Sequence, residues 1–92
     1  FQDPAKVTAA IIAATRSSER EPRGSATFAL GVVGGDGARE RLRELCEDVD
    51  DNVRYNAALG LARLGDSFAW ETLAEMLTLS DVAVRPDDPR SQ

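Results

Sequence analysis

The chain has 92 residues, a formal net charge of −5 and a hydrophobic content of 42%. This length allows one small domain, and the hydrophobic content is typical of a folded chain rather than a disordered one. The excess of acidic side chains argues against a nucleic-acid partner, which needs a basic surface that displaces phosphate counterions. No apolar run approaches the roughly 20 residues of a membrane-spanning helix, which argues against a membrane partner.

The side chains that carry most enzyme chemistry are scarce. There is no histidine, and Cys46 is the single cysteine. Without histidine the chain has no Ser–His or Cys–His pair for nucleophilic catalysis, and a lone cysteine cannot assemble the usual zinc site. We therefore predict that the chain is not an enzyme and has no catalytic residue, metal site or cofactor. One unpaired cysteine favours a reducing compartment such as the cytoplasm, with Cys46 buried as a small apolar side chain.

Five helices are predicted, because apolar residues recur three and four positions apart and no stretch shows the two-residue period of a strand. The predicted helices span residues 4–16, 23–33, 37–47, 53–64 and 67–78. Pro86 and Pro89 oppose a sixth helix, since the second proline would fall inside it. Residues 81–92 are therefore predicted to form a polar tail. Because the chain begins at Phe1 rather than at Met, we expect 1–92 to be a single repeat domain cut from a longer protein.

Capping residues mark the ends of the predicted helices. Asp3 precedes Pro4, a combination typical of an N-cap followed by the first helical residue. Two further turns contain glycine followed by aspartate, ending in Asp36 and Asp66. This order predicts a glycine that ends one helix and an aspartate that caps the next.

The sequence matches itself when it is shifted by 31 residues. Ten of the 31 aligned pairs between residues 23–53 and 54–84 are identical, where ordinary composition would give about two. The identical pairs include Ala26/Ala57, Leu30/Leu61, Gly34/Gly65, Ala38/Ala69 and Leu42/Leu73. Each period contains two helical patterns, so the sequence predicts two stacked helix-pair repeats, with helix 4–16 as part of another copy.

One period resembles a known repeat. Residues 50–66, DDNVRYNAALGLARLGD, contain an Asp-rich turn, then Val53 and Arg54, then an alanine-rich helix that ends in Leu-Gly-Asp. This segment resembles the HEAT repeat, in particular the short HEAT-like or phycobilisome-lyase-type variety, and the resemblance covers roughly residues 4–85. It implies an all-α fold, an armadillo-like α–α superhelix of about five helices in antiparallel pairs.

The resemblance also implies a binding surface. In this family the helices that match 23–33 and 53–64 line the concave side, where partners bind. The positions that vary there between copies match Ser25, Phe28, Val32, Tyr55, Asn56, Leu59 and Arg63. An exposed apolar cluster at these positions would suit a helix or an extended peptide. The alternative is that Phe28 and Leu59 simply pack between repeats.

Arginine recurs once per period, next to an acidic position. The arginines are Arg23, Arg54 and Arg85, and the acidic residues are Glu19, Asp50 and Asp81. We predict a structural ladder of arginine–carboxylate pairs across the stacked repeats, because the planar guanidinium pairs with a carboxylate through two bonds. An anion-binding site is the alternative for these arginines.

The function predicted from these features is a scaffold module that binds another protein or a peptide on its concave face. The resemblance also leaves open a fragment of a chromophore-lyase-type or other cofactor-handling enzyme. Nucleic-acid binding is a third hypothesis, which the acidic balance opposes. Uncovered repeat faces at the two ends of the array could make the isolated chain self-associate.

Overall fold

The computed structural model describes residues 3–81, with side chains as far as residue 76. Within this range the chain is all-helical and contains no strand. The helices are α1 (Pro4–Ala14), α2 (Arg20–Val33), α3 (Ala38–Leu45), α4 (Asp51–Arg63) and α5 (Phe68–Asp81). The predicted all-α repeat fold is confirmed. Arg85 and the predicted tail beyond Asp81 lie outside the described residues. None of the described helices is long and apolar enough to span a membrane.

Aspartate side chains cap three of the helices. Asp3, Asp50 and Asp66 each accept a hydrogen bond from a backbone N–H two or three residues further on, at 2.9–3.1 Å. These bonds satisfy donors that have no partner inside the helix. The predicted cap at Asp36 is wrong, because α3 begins one residue later, after Gly37. Gly37 has a φ of 83°, a left-handed conformation that glycine adopts without strain.

The start of α2 differs most from its prediction. The sequence placed it at Arg23, directly after Pro22, but the helix begins at Arg20. Pro22 is therefore the third helical residue, where a backbone N–H has no acceptor within the helix. The missing N–H costs no hydrogen bond there, so the proline is tolerated inside the first turn. The start of α1 and the end of α2 are as predicted, and the remaining helix ends differ by one to three residues.

The helices form two layers. The inner layer consists of α2 and α4, which make the most extensive helix–helix contact in the described part of the chain. On the other side, α1 and α3 touch each other only slightly, while each packs against α2 or α4. The buried core between the layers comprises Leu30, Ala38, Leu42, Leu45, Cys46, Val53, Ala57, Ala58, Leu61 and Ala69. Most of these residues belong to the identical or conservative pairs of the 31-residue period.

Two glycines set the distance between α2 and α4. A Cβ atom on Gly31 would lie 2.5 Å from the Cα of Gly60, and a Cβ on Gly60 would lie 2.9 Å from the Cα of Gly31. Both distances are too short for any side chain, so the two backbones touch at this point. The absence of side chains here allows the inner layer to pack more closely than the outer one.

Candidate functional site

The inner layer presents a partly apolar surface to solvent, which we call the α2–α4 face. It is defined by the seven residues Ser25, Phe28, Val32, Tyr55, Asn56, Leu59 and Arg63. Phe28 is 48% exposed, Val32 is 55% exposed and Tyr55 is 47% exposed. Leu59 and Asn56 are half-buried. Phe28 is therefore half-exposed and Leu59 is partly covered, so packing between the repeats and partner binding both stay predictions for these two residues.

Contacts across the two helices hold this face together. The guanidinium carbon of Arg63 on α4 lies 5.5 Å from the centre of the Phe28 ring on α2, a cation–π distance. The side-chain amide of Asn56 donates a hydrogen bond of 3.3 Å to the carbonyl of Gly24. Both contacts join residues of adjacent repeats across the contact between α2 and α4.

A groove opens where the N-terminal ends of α2 and α4 lie side by side. Its volume is about 770 Å³. The side chains that line it are Arg20, Glu21, Ser25, Phe28, Asp50, Asn52 and Asn56. The groove therefore combines one aromatic ring, neutral amide groups, and side chains of positive and negative charge. It continues the α2–α4 face, with which it shares Ser25, Phe28 and Asn56.

The arginine ladder has different carboxylate partners from those predicted. Arg23 donates two hydrogen bonds of 2.9 Å to the two carboxylate oxygens of Asp48. Both side chains are 13% exposed. The Arg23 guanidinium holds the pKa of Asp48 below its ordinary value. Asp50, the expected partner, instead caps α4, because its place just before the helix directs the carboxylate to a free N–H.

The two arginines occupy equivalent places in the two periods. Arg23 donates to the carbonyl of Ser17, and Arg54 donates to the carbonyl of Asp48, six residues earlier in both cases. Arg54 also pairs with the exposed carboxylate of Asp51. The side chains of Arg23 and Arg54 are therefore engaged in contacts within and between repeats. The roles of Asp81 and Arg85 stay predictions, since their side chains are outside the described part.

Sequence reasoning missed a second tie between repeats, around Asp66. Arg43 donates to the Asp66 carboxylate at 2.7 Å, and Arg39 lies 3.3 Å from it. The hydrogen bond from the Phe68 N–H, together with the one from Arg43, holds the pKa of Asp66 below its ordinary value. Arg39 and Arg43 are four residues apart, so the helical period places them on one face of α3. It could not show that a carboxylate 23 residues after Arg43 lies beneath them.

Cys46, the single thiol, is buried at the end of α3. Burial, with the negative charges of Glu47 and Asp66, raises the pKa of its thiol to about 11. A thiolate is the nucleophilic form of cysteine, so a raised pKa combined with burial makes the group unreactive. Within the described residues, no three Cys, Asp or Glu side chains converge closely enough to hold a metal ion.

We expect Cys46 to react slowly with a thiol reagent in the folded protein. At pH 8, a pKa of about 11 leaves about one thiolate in a thousand. Modification by a coloured disulfide reagent should therefore be much slower than in urea, where the chain is unfolded. Labelling of the native protein as fast as that of a short cysteine peptide would contradict this expectation and would revive a reactive role for Cys46.

The match to known families agrees with this geometry. The family pattern described as HEAT repeats matches residues 7–86, which is most of the chain. The chain belongs to the HEAT repeat family. HEAT repeats generally mediate protein–protein interaction, and the helices described above are the helical pairs of such repeats. The predicted family is thus confirmed. No curated protein and no solved structure matched this HEAT repeat chain.

Proposed function

We propose that this chain is a protein-interaction module that binds a helix or an extended peptide of another protein on the α2–α4 face. The observation that carries the proposal is the exposure of Phe28, Val32 and Tyr55 on the two adjacent inner helices. Large apolar side chains that stay in solvent together, with polar groups beside them, are typical of binding surfaces. Aromatic residues and arginine are also the side chains that contribute most to protein interfaces.

The packing of the two layers supports a concave shape for this face. When helix pairs stack in a curve, the layer whose helices approach more closely lies on the inside. The Gly31–Gly60 contact brings α2 and α4 close together, while α1 and α3 touch only slightly. A concave surface surrounds a bound helix or peptide on two sides, which increases the area that the partner buries.

The composition of the groove suggests how a partner would be oriented. Phe28 supplies an apolar contact at one side, and Asn52 and Asn56 offer amide groups that can bind a peptide backbone. Arg20, Glu21 and Asp50 add charges of both signs to its lining. We infer a partner segment with an apolar anchor and polar flanks, rather than a uniformly charged ligand such as a nucleic acid.

We also propose a binding role rather than a catalytic one. The single thiol is buried with a raised pKa. The buried carboxylate of Asp66 accepts hydrogen bonds from Arg43 and from the Phe68 N–H, so it is already committed to the fold. These features support a chain whose polar side chains organise the repeats.

Substituting Tyr55 by glutamate is expected to weaken partner binding by about tenfold or more, since it puts a charge into an apolar contact. Peptide ligands would first be selected from a random display library on the wild-type protein. Their affinities for the wild type and for Tyr55→Glu would then be compared by calorimetry. Trp70→Glu is the matched control, because Trp70 is also exposed, at 61%, but lies on α5, outside the α2–α4 face.

Chemical-shift changes in the nitrogen-15-labelled protein would locate each selected peptide. The proposal expects the changes on α2 and α4 and expects Trp70→Glu to bind as the wild type does. Peptides that bind Tyr55→Glu with full affinity, or that shift signals only on α1, α3 and α5, would contradict it.

A further inference from the structure

A small pocket lies between the end of α3 and α5. Its volume is about 310 Å³. The residues used below that line it are Cys46 and Glu47 at the end of α3 and Phe68, Glu71, Thr72 and Glu75 on α5. None of these residues belongs to the α2–α4 face, so the pocket is separate from the surface proposed above to bind a partner.

In the preceding repeat, an arginine fills the equivalent place. Arg41 on α3 reaches the end of α1, where its guanidinium donates hydrogen bonds of 2.9 Å to the hydroxyl and 3.2 Å to the carbonyl oxygen of Thr15. The same guanidinium pairs with Glu44 at 2.9 Å. Because the Arg41 side chain is only 15% exposed, its charged group is largely enclosed by the groups that accept its hydrogen bonds.

The 31-residue period places similar acceptors around the pocket. Cys46 corresponds to Thr15, and each of the two residues caps the C-terminal end of its helix. The thiol of Cys46 is a weaker acceptor than a hydroxyl, but the backbone carbonyl is present in both copies. Glu75 corresponds to Glu44. The pocket therefore has counterparts of the carbonyl and the carboxylate that bind the guanidinium one repeat earlier.

The arginine itself is missing from the second copy. Thr72 stands at the position of Arg41. Its short side chain donates to the carbonyl of Phe68 on its own helix, at 3.2 Å, rather than across the pocket. Within residues 3–76, no donor forms a hydrogen bond with the carbonyl oxygen of Cys46. The acceptors of the second copy are thus in place, and the described side chains leave them open.

The pocket is also acidic. Glu47, Glu71 and Glu75 are exposed, and none of them forms an ion pair with another side chain of residues 3–76. Their carboxylates do not converge on one point closely enough to hold a metal ion. Carboxylates that are spread along a pocket favour a cation that carries its charge over several donors.

Arg54 lines the pocket as well. Its guanidinium is already bound to the carboxylate of Asp51 and to the carbonyl of Asp48. In the preceding repeat its counterpart Arg23 lies close to Arg41, since both guanidinium groups lower the pKa of Asp48. The fold therefore accommodates two neighbouring guanidinium groups at this place, and Arg54 does not exclude a second one.

We propose that this pocket binds a guanidinium group, supplied by an arginine side chain of another polypeptide. The carbonyl of Cys46 and the carboxylate of Glu75 would accept its N–H groups, as their counterparts do in the preceding repeat. A guanidinium suits two such acceptors because its donors point in fixed directions in one plane, whereas a lysine ammonium is a compact point charge. Phe68 adds an aromatic wall, and Arg43 already lies 5.7 Å from the centre of this ring.

Titration of the nitrogen-15-labelled protein with N-acetyl-arginine amide, followed by NMR, tests the proposal. Saturable shift changes are expected around Cys46, Glu47 and Thr72. The corresponding lysine compound should bind at least about threefold more weakly, and the uncharged citrulline compound should not bind. Free arginine should also bind more weakly, because the acidic pocket repels its carboxylate, which a residue inside a polypeptide lacks.

Variants of the pocket provide a second set of measurements. Thr72→Arg places an arginine where Arg41 lies one repeat earlier, so it should abolish binding of the compound. It should also raise the urea midpoint above that of Thr72→Gln, a matched control with similar helix propensity and no charge. Glu75→Gln should weaken binding by about threefold or more. Glu40→Gln, at an exposed glutamate of α3 that does not line the pocket, should bind as the wild type does.

Several results would overturn the proposal. These are equal affinity for the arginine and lysine compounds, tighter binding of free arginine than of the blocked compound, or unchanged binding to Thr72→Arg. Absence of saturable binding to the wild type would overturn it too. If binding then appeared in Arg85→Gln or Arg90→Gln, an arginine of this chain would be the occupant in place of a partner.

Discussion

Replacing Leu42 by alanine is expected to lower the free energy of unfolding by about 3 kcal/mol. Leu42 is fully buried between the two layers. Its two terminal methyl groups approach Gly60 so closely that a Cβ there would lie 3.2 and 3.3 Å from them. Alanine would leave a cavity lined by rigid helix backbone, which cannot collapse to fill it. The free energy of unfolding of a whole domain is about 5–15 kcal/mol, so this loss is a large fraction of it.

Urea denaturation followed by circular dichroism would measure this loss. Leu73→Ala is the matched control, because Leu73 holds the same position one period later, on α5, and is only half-buried. We expect the control to lose about 1 kcal/mol, since less apolar surface is removed from contact. Equal losses at the two positions would contradict the stacked arrangement, in which Leu42 is covered by helices on both sides and Leu73 is not.

Replacing Gly31 by alanine is expected to destabilise the protein by about 2 kcal/mol, although alanine favours helices. The added Cβ would lie 2.5 Å from the Cα of Gly60. Since the obstacle is backbone rather than a flexible side chain, α2 and α4 would have to move apart. That movement would open the contacts of Leu30 and Leu61 in the core.

Gly24→Ala on the same helix provides the control for Gly31→Ala. Gly24 is also buried and helical, but a Cβ there would meet its nearest neighbours at 3.8 and 3.9 Å, which is ordinary contact. With no clash, the helix propensity of alanine should stabilise the protein by up to about 1 kcal/mol. The two variants should therefore shift the urea midpoint in opposite directions. A stabilising effect of Gly31→Ala would show that the helices are further apart than described.

The fold could be predicted from the sequence because it repeats a local pattern. Pairs such as Leu30/Leu61 and Leu42/Leu73 predicted both the 31-residue period and the buried face of each helix. Capping residues such as Asp3 and Asp66 predicted where helices begin. Where a single residue decided a boundary, the prediction was weaker. Pro22 suggested a late start for α2, because proline is unfavourable inside a helix. It is tolerated within the first turn, and the sequence alone did not show that Pro22 lies there.

Contacts between distant residues were less predictable than the helices. The period aligns Gly31 with Ala62, yet Gly31 meets Gly60 in space, because helix crossing geometry decides which residues touch. Likewise Arg23 pairs with Asp48 rather than with a neighbouring acid. The residues of the α2–α4 face came from a family resemblance. Five of the seven are exposed, and Asn56 and Leu59 are half-buried. Their role in binding stays a prediction, because no single motif of the chain encodes the chemistry of the partner.

The close stacking of one repeat on the next can be tested most directly by proton NMR. In the folded protein, the α-protons of Gly31 and Gly60 should give a strong nuclear Overhauser cross-peak, because the two backbones touch at this point. Assigned α-protons at both glycines without any cross-peak between them would contradict the stacked repeats from which the binding surface and the groove are inferred.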